Sequence, residues 1–132
     1  MHTDGAVRLP AAAELTKTPP EPVSVLQVVE SCGAGVGRHI RALCGDLADM
    51  GHSVTVAYSP HRMDEAFENF TKDTKDKINF VPLQLQRKVN MRSDLRSAWH
   101  LLRIIQREGP FDIVHGHSSK GGAVARLAGR LA

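Results

Sequence analysis

The sequence predicts an α/β fold: a Rossmann-like, doubly wound parallel sheet in three α/β/α layers, incomplete at about four strands. Three observations carry that expectation. Short apolar runs rich in β-branched residues alternate with segments whose apolar residues recur at three- and four-residue intervals, in the order β-α-β-α-β-α-β-α. The first run, Val23, Val25, Leu26, Val28 and Val29 behind Pro22, is close to continuous, the pattern of a strand covered on both faces. It empties into Gly33, Gly35 and Gly37, and a helix follows at once.

Each later element has its own signal. Val36, Ile40, Leu43, Cys44, Leu47 and Met50 define one face of the first helix, and Gly51 closes it as a C′ residue. Ser53 to Tyr58 is the second strand, joined by a short connection. Arg62 to Asp73 reads as a helix with Met63, Ala66, Phe67 and Phe70 on its apolar side. Ile78 to Leu83 is the third strand, with Pro82 marking its end or an edge position. The next helix opens on Ser93 as N-cap with Asp94 in its first turn, buries Leu95, Ala98, Trp99, Leu102 and Ile105, and stops at Gly109-Pro110. Phe111 to Val114 is the fourth strand, running out into His115-Gly116-His117. Ser118, Ser119 and Lys120 then lead through Gly121-Gly122 into a last helix, Ala123 to Leu131. Four strands are fewer than the five or six such sheets commonly hold, which suggests a fragment of something longer.

Composition narrows the class. With 132 residues, 42% hydrophobic and 23% charged, the chain has the make-up of one globular domain. Residues 1–22 hold four of the seven prolines and an alanine run without periodicity, so a flexible tail is expected there and a domain over 23–132. Within that tail Arg8 and Lys17 stand against Asp4, Glu14 and Glu21. Its net charge is −1, which leaves +4 for the remainder of a chain whose total is +3. Two cysteines, Cys32 and Cys44, are too few for a disulfide scaffold and lack zinc-site spacing; they fit a reducing, cytosolic setting. No apolar run approaches the roughly 20 residues of a membrane span, and the N-terminus has neither the basic opening nor the apolar core of an export signal.

The candidate chemistry gathers at the strand ends. The glycines after the first strand let the backbone turn tightly, approach a ligand closely, and present helix N-terminal amides to an anion. Close helix-sheet packing is the alternative use of the same glycines. A dinucleotide fingerprint is disfavoured because Arg38 stands where its third glycine is needed and Tyr58-Ser59-Pro60 replaces the acidic residue; a Walker loop is disfavoured because the helix opens Gly37-Arg38-His39. If the first and fourth strands are neighbours, this turn faces the segment His115 to Lys120 across one crevice, where ligands bind in such sheets. His115 and His117 could serve as general base, donor to a ligand hydroxyl or phosphate partner, or could simply cap a loop; Ser118, Ser119 and Lys120 would add acceptor or phosphate contacts. Two histidines without a nearby third ligand do not make a metal site, and none is expected. Arg87, Lys88, Arg92 and Arg96 form a basic stretch that is either a solvated face or a surface for an anionic membrane or acceptor. Nucleic acid is disfavoured, since no aromatic residues interleave that loop.

Four segments together resemble the N-terminal domain of the family 4 glycosyltransferases with the GT-B fold, over Val23 to Ala132. They are Val28-Val29-Glu30-Ser31, Gly35-Val36-Gly37-Arg38-His39, Leu47-Ala48-Asp49-Met50-Gly51-His52-Ser53-Val54, and Phe111-Asp112-Ile113-Val114-His115-Gly116-His117-Ser118-Ser119-Lys120-Gly121-Gly122. The resemblance implies retaining transfer of a sugar from a nucleotide-sugar donor, itself a substrate rather than a cofactor, to a saccharide or lipid-linked acceptor. It implies that Gly35, Val36 and Gly37 offer amides to the donor diphosphate and that His117 sits by the reacting sugar or acceptor hydroxyl. It also implies an acceptor-side domain and metal-free chemistry; with the reduced cysteines, the basic loop and helix suggest a cytoplasmic protein that can sit at the inner face of the membrane. The family's second domain, with its Glu-x7-Glu pair, is not in this sequence, so the chain alone is expected to be inactive. The alternative expectation is a non-catalytic α/β module binding a phosphate-bearing small molecule.

Overall fold

The computed structural model describes residues 20–85, 88 and 90–132. The expected tail falls, up to residue 19, outside the described residues, as does Arg87. Four strands, β1 (Ser24–Val29), β2 (Ser53–Tyr58), β3 (Ile78–Pro82) and β4 (Ile113–His117), alternate with α1 (Ala34–Asp49), α2 (Glu65–Thr74), α3 (Met91–Glu108) and α4 (Ser119–Leu131). They form one parallel sheet in the order β3-β2-β1-β4. This is the Rossmann-like three-layer arrangement, with β1 beside β4 as a doubly wound topology requires.

The alternation of side chains along β1 divides the core in two. Leu26 and Val28 pack with Ala57 and Val81 against Leu101 and Ile104 of α3 and Val124 and Ala128 of α4. Val29, with Val54, Val56 and Ile78, packs on the other face against Ile40 and Cys44 of α1 and Phe67 of α2. A strand buried on both faces must therefore be apolar at nearly every position, which is why β1 reads as a run rather than an alternation. Its one fully buried polar side chain is Gln27.

β2 lies where the sequence places it, and Gly51 takes up φ 89° directly after α1, as a residue past a helix C-terminus does. Pro82 ends β3, which among the described residues pairs only with β2 and is an edge strand, so the missing amide costs no ladder bond. Elsewhere the boundaries shift for identifiable reasons. α2 begins at Glu65, not Arg62, because Pro60–Arg62 form a 3-10 turn and the Asp64 carboxylate caps the helix by accepting from the Phe67 amide at 2.9 Å. α3 begins one turn before Ser93: Asn90 is the cap, its side chain accepting from Arg92 N–H.

The buried side of α3 is also rotated from the expected stripe. Ser97, Ala98, Leu101 and Ile104 are buried, Leu102 and Ile105 are partly so, and Leu95 and Trp99 are 57% and 61% exposed. Ser97 can face inward because its hydroxyl reaches the carbonyls of Gln84 and Ser93, each at 2.9 Å. Trp99 stays outside with the Arg103 guanidinium 5.4 Å over its ring.

β4 and α4 differ from expectation together. Asp112, not Phe111, starts the pairing, donating its amide to the Ser24 carbonyl, and the ladder then runs from Val25 opposite Ile113 to Val29 opposite His117. Both histidines are thus strand residues rather than loop residues. α4 starts at Ser119 because the Ser118 hydroxyl caps it, accepting from the Gly121 amide at 3.2 Å, so Gly121 and Gly122 belong to the first helical turn. That turn packs so closely on β4 that Gly116 has to be glycine: a Cβ there would lie 2.6 Å from the Gly121 carbonyl oxygen and from Gly122 Cα.

Candidate functional site

The parallel register sets the carboxyl ends of the strands in a row, Pro82, Tyr58, Val29 and His117. Gln27 lies opposite His115 in that register and Val29 opposite His117, so these four residues share one face of the sheet, the face covered by α1. His117 Nε2 is 2.6 Å from Gln27 Oε1. A carbonyl oxygen can only accept, so Nε2 carries the proton and Nδ1 holds the lone pair in the neutral ring. The His115 ring lies 4.2 Å from it, centroid to centroid, and His39 of α1 meets it edge-on at 5.9 Å. Burial, with the charges His115 and His39 can carry, pushes the His117 pKa down to about 4. At neutral pH the imidazole is uncharged and able to accept a hydrogen bond from a ligand hydroxyl.

The glycine turn is held by an acid from another element. Gly33 is the extended N-cap of α1, and Ala34 follows at φ 51°, a left-handed conformation unusual for alanine. Its amide donates to Asp64 Oδ2 at 3.1 Å, so one carboxylate ties the starts of α1 and α2. Those bonds, first from Phe67 and then from Ala34, hold the Asp64 carboxyl below its ordinary range. The first backbone bond within the helix runs from the Gly37 amide to the Gly33 carbonyl, which leaves the Gly35 and Val36 amides without an intrahelical acceptor. Gly35 and Gly37 therefore lie in the helix itself. Gly37 must be glycine because a Cβ there would run into the Cys32 carbonyl oxygen. Both uses of the glycines, close packing and free amides, occur in the same turn.

A further acid ties two of the strand-end turns together. Glu30, just past β1, pairs through Oε1 with Arg62 Nη1 at 2.7 Å, and its Oε2 accepts from the Ser118 hydroxyl at 3.2 Å. It joins the turn after β2 to the turn after β4. Ser118 holds φ 73° there. Sequence reasoning assigned Glu30 no role, although an acid directly after the strand at the switch point was a signal. Gln27 gave less warning, being a lone polar residue inside an apolar run.

Other predicted residues are dispersed. Lys120 is mostly buried and pairs with Asp94 Oδ1 at 2.7 Å and the Lys88 carbonyl at 2.8 Å, tying α4 to the start of α3. Ser119 is exposed in the first turn of α4, and Lys88, Arg92 and Arg96 are exposed on the loop and α3. Burial raises the thiols of Cys32 and Cys44 to about 12, so both remain protonated. Among the described residues no group of three histidine, cysteine, aspartate or glutamate side chains is arranged to hold a metal ion, and no helix is long and apolar enough to cross a membrane.

Comparison with known proteins adds two findings. The model of Glycosyltransferase Family 4 matches residues 33–132. Over 53 residues the chain is 43% identical to the UDP-Gal:alpha-D-GlcNAc-diphosphoundecaprenol alpha-1,3-galactosyltransferase of Escherichia coli, a match that covers 40% of this chain and 13% of that protein. No solved structure matches.

Proposed function

The chain belongs to glycosyltransferase family 4, and from that premise we propose that it is the N-terminal, acceptor-side part of a GT-B enzyme. That enzyme transfers a sugar with retention from a nucleotide-sugar donor to a saccharide or lipid-linked acceptor. The observation that carries the reading is the contact between His39 and His117, which brings the first turns of α1 against the end of β4. Free amides and a neutral imidazole then border one crevice at the switch point of the sheet.

In this reading the Gly35 and Val36 amides, with Gly37 providing the close approach, receive the donor diphosphate. His117, neutral and oriented by Gln27, accepts the hydrogen bond of a sugar or acceptor hydroxyl. His115, Ser118 and Ser119 line the acceptor side, and Lys120 helps set the position of α4. Arg87, Lys88, Arg92 and Arg96 face an anionic membrane or acceptor. The similarity to an enzyme whose name specifies a diphosphoundecaprenol-linked substrate supports a lipid-linked acceptor. The sequence holds no Glu-x7-Glu pair, so these 132 residues alone are expected not to turn over.

Titrating UDP-galactose into the isotope-labelled chain tests the reading. Amide shifts should saturate at Gly35 and Val36 with a response of the His117 ring. Binding of simple phosphates with no preference for the nucleotide sugar would replace it with the non-catalytic module.

A further inference from the structure

A second cleft opens on the carboxyl edge of the sheet, at the far end from His117. Its volume is about 420 Å³, and it lies between the turn after β2, the segment after β3 and one side of α3. Ser93, Arg96, Ser97 and His100 recur at helical spacing along α3, next to the stripe that enters the core, and line one wall. His61, from the 3-10 turn, and Gln84 line the other. No acid lines it.

Charge pairing along α3 leaves Arg92 and Arg96 without an ion pair among the described residues, and Arg96 is the one that lines the cleft. Arg107 is bonded to Glu108, Lys120 to Asp94, and Arg103 covers Trp99. The two serine hydroxyls in the wall donate to backbone carbonyls. The side-chain donors left to the cleft are thus a guanidinium, two imidazoles and the Gln84 amide, a set that matches the oxygens of a tetrahedral anion, with the arginine fork suited to two of them at once. The volume falls in the usual range of small-ligand sites and accommodates a diphosphate with bridging waters.

We propose that the cleft of His61, Arg96 and His100 is a binding site for a phosphate or diphosphate group, separate from the glycine turn. Pro82, at its margin, lies three strand positions from His117, roughly 14 Å at the ordinary strand spacing. The site is independent of whether the chain takes part in sugar transfer.

The test is a titration of the labelled chain with sodium pyrophosphate, and separately with inorganic phosphate, at constant ionic strength. Saturable shifts are expected at His61, Arg96, Ser97 and His100. Arg96→Gln should weaken pyrophosphate at least tenfold, and Arg96→Lys, which keeps the charge but not the fork, by less. Arg103→Gln, further along the helix, should stay within twofold of the unmodified chain. Phosphatidylglycerol vesicles form a second arm: competition with pyrophosphate identifies a lipid headgroup as the source of the phosphate, and its absence identifies a soluble or saccharide-linked one. A silent cleft with shifts confined to Gly35 and Val36, or cleft binding unchanged by Arg96→Gln, would overturn the proposal.

Discussion

At the scale of the residue, the molecule turns on one hydrogen bond between positions ninety apart in sequence. Gln27 fixes which nitrogen of His117 bears the proton, and nitrogen shifts of the ring should report the Nε2–H tautomer. Gln27→Leu removes the acceptor without changing the strand, and the two tautomers should then mix; an unchanged tautomer would mean that Gln27 does not set it. The depressed pKa has its own consequence. The unfolded chain takes up a proton near the ordinary value of about 6.5, whereas the folded chain does not until about 4. Stability therefore falls as pH is lowered through that window and levels off below it. Urea midpoints measured from pH 7 to pH 4 should decline less steeply in His117→Asn than in the unmodified chain. Sequence alone made the two histidines and the glycines visible because they stand at a strand end. It did not reveal Gln27 or Glu30, whose roles come from partners brought close only by folding.

At the scale of the element, strands were easier to read than helices. β2 needs no revision because a short β-branched run bounded by turn residues has few other readings, while the α3 stripe holds at Ala98, Leu102 and Ile105 but not at Leu95 and Trp99. An amphipathic helix with apolar residues around more than half its circumference offers two adjacent stripes, and the sequence ranks a serine as polar although Ser97 is satisfied by two carbonyls inside the core. The correction can be tested by comparing two truncations. Leu101→Ala, at a fully buried site, should cost about 2–5 kcal/mol, whereas Trp99→Ala should cost about 0.5 kcal/mol or less apart from the stacked arginine. The reverse order in chemical denaturation would restore the stripe read from sequence. Asp64→Ala addresses the junction of two helices. It removes the cap of α2 and the acceptor of the Ala34 amide at once, so a lower urea midpoint is expected, together with shifted Gly35 and Val36 amide signals. If those signals stay in place, the glycine turn holds its shape without Asp64.

At the scale of the whole molecule, the sheet separates two cores, and the distribution of charge gives the outside a direction. The acids near α3 are engaged, Asp94 with Lys120 and Glu108 with Arg107 and Asn79, while Lys88, Arg92 and Arg96 are exposed toward one end of the helix. Met91, Leu95 and Trp99 are exposed along the same helix. Basic residues beside exposed apolar ones suit an anionic interface, where each cation contributes about 1 kcal/mol near the surface. Removing two of them, Lys88→Gln with Arg92→Gln, should then weaken binding to phosphatidylglycerol vesicles by roughly thirtyfold at low salt, since every 1.4 kcal/mol is a factor of ten. Binding should also fade at high ionic strength, because the screening length shrinks to a few ångströms. Trp99 is the chain's one tryptophan, so a blue shift of its emission on adding vesicles reads the contact directly. Equal binding to phosphatidylcholine and phosphatidylglycerol vesicles, or emission that does not move while the chain binds, would show that this face is not a surface for anionic membranes.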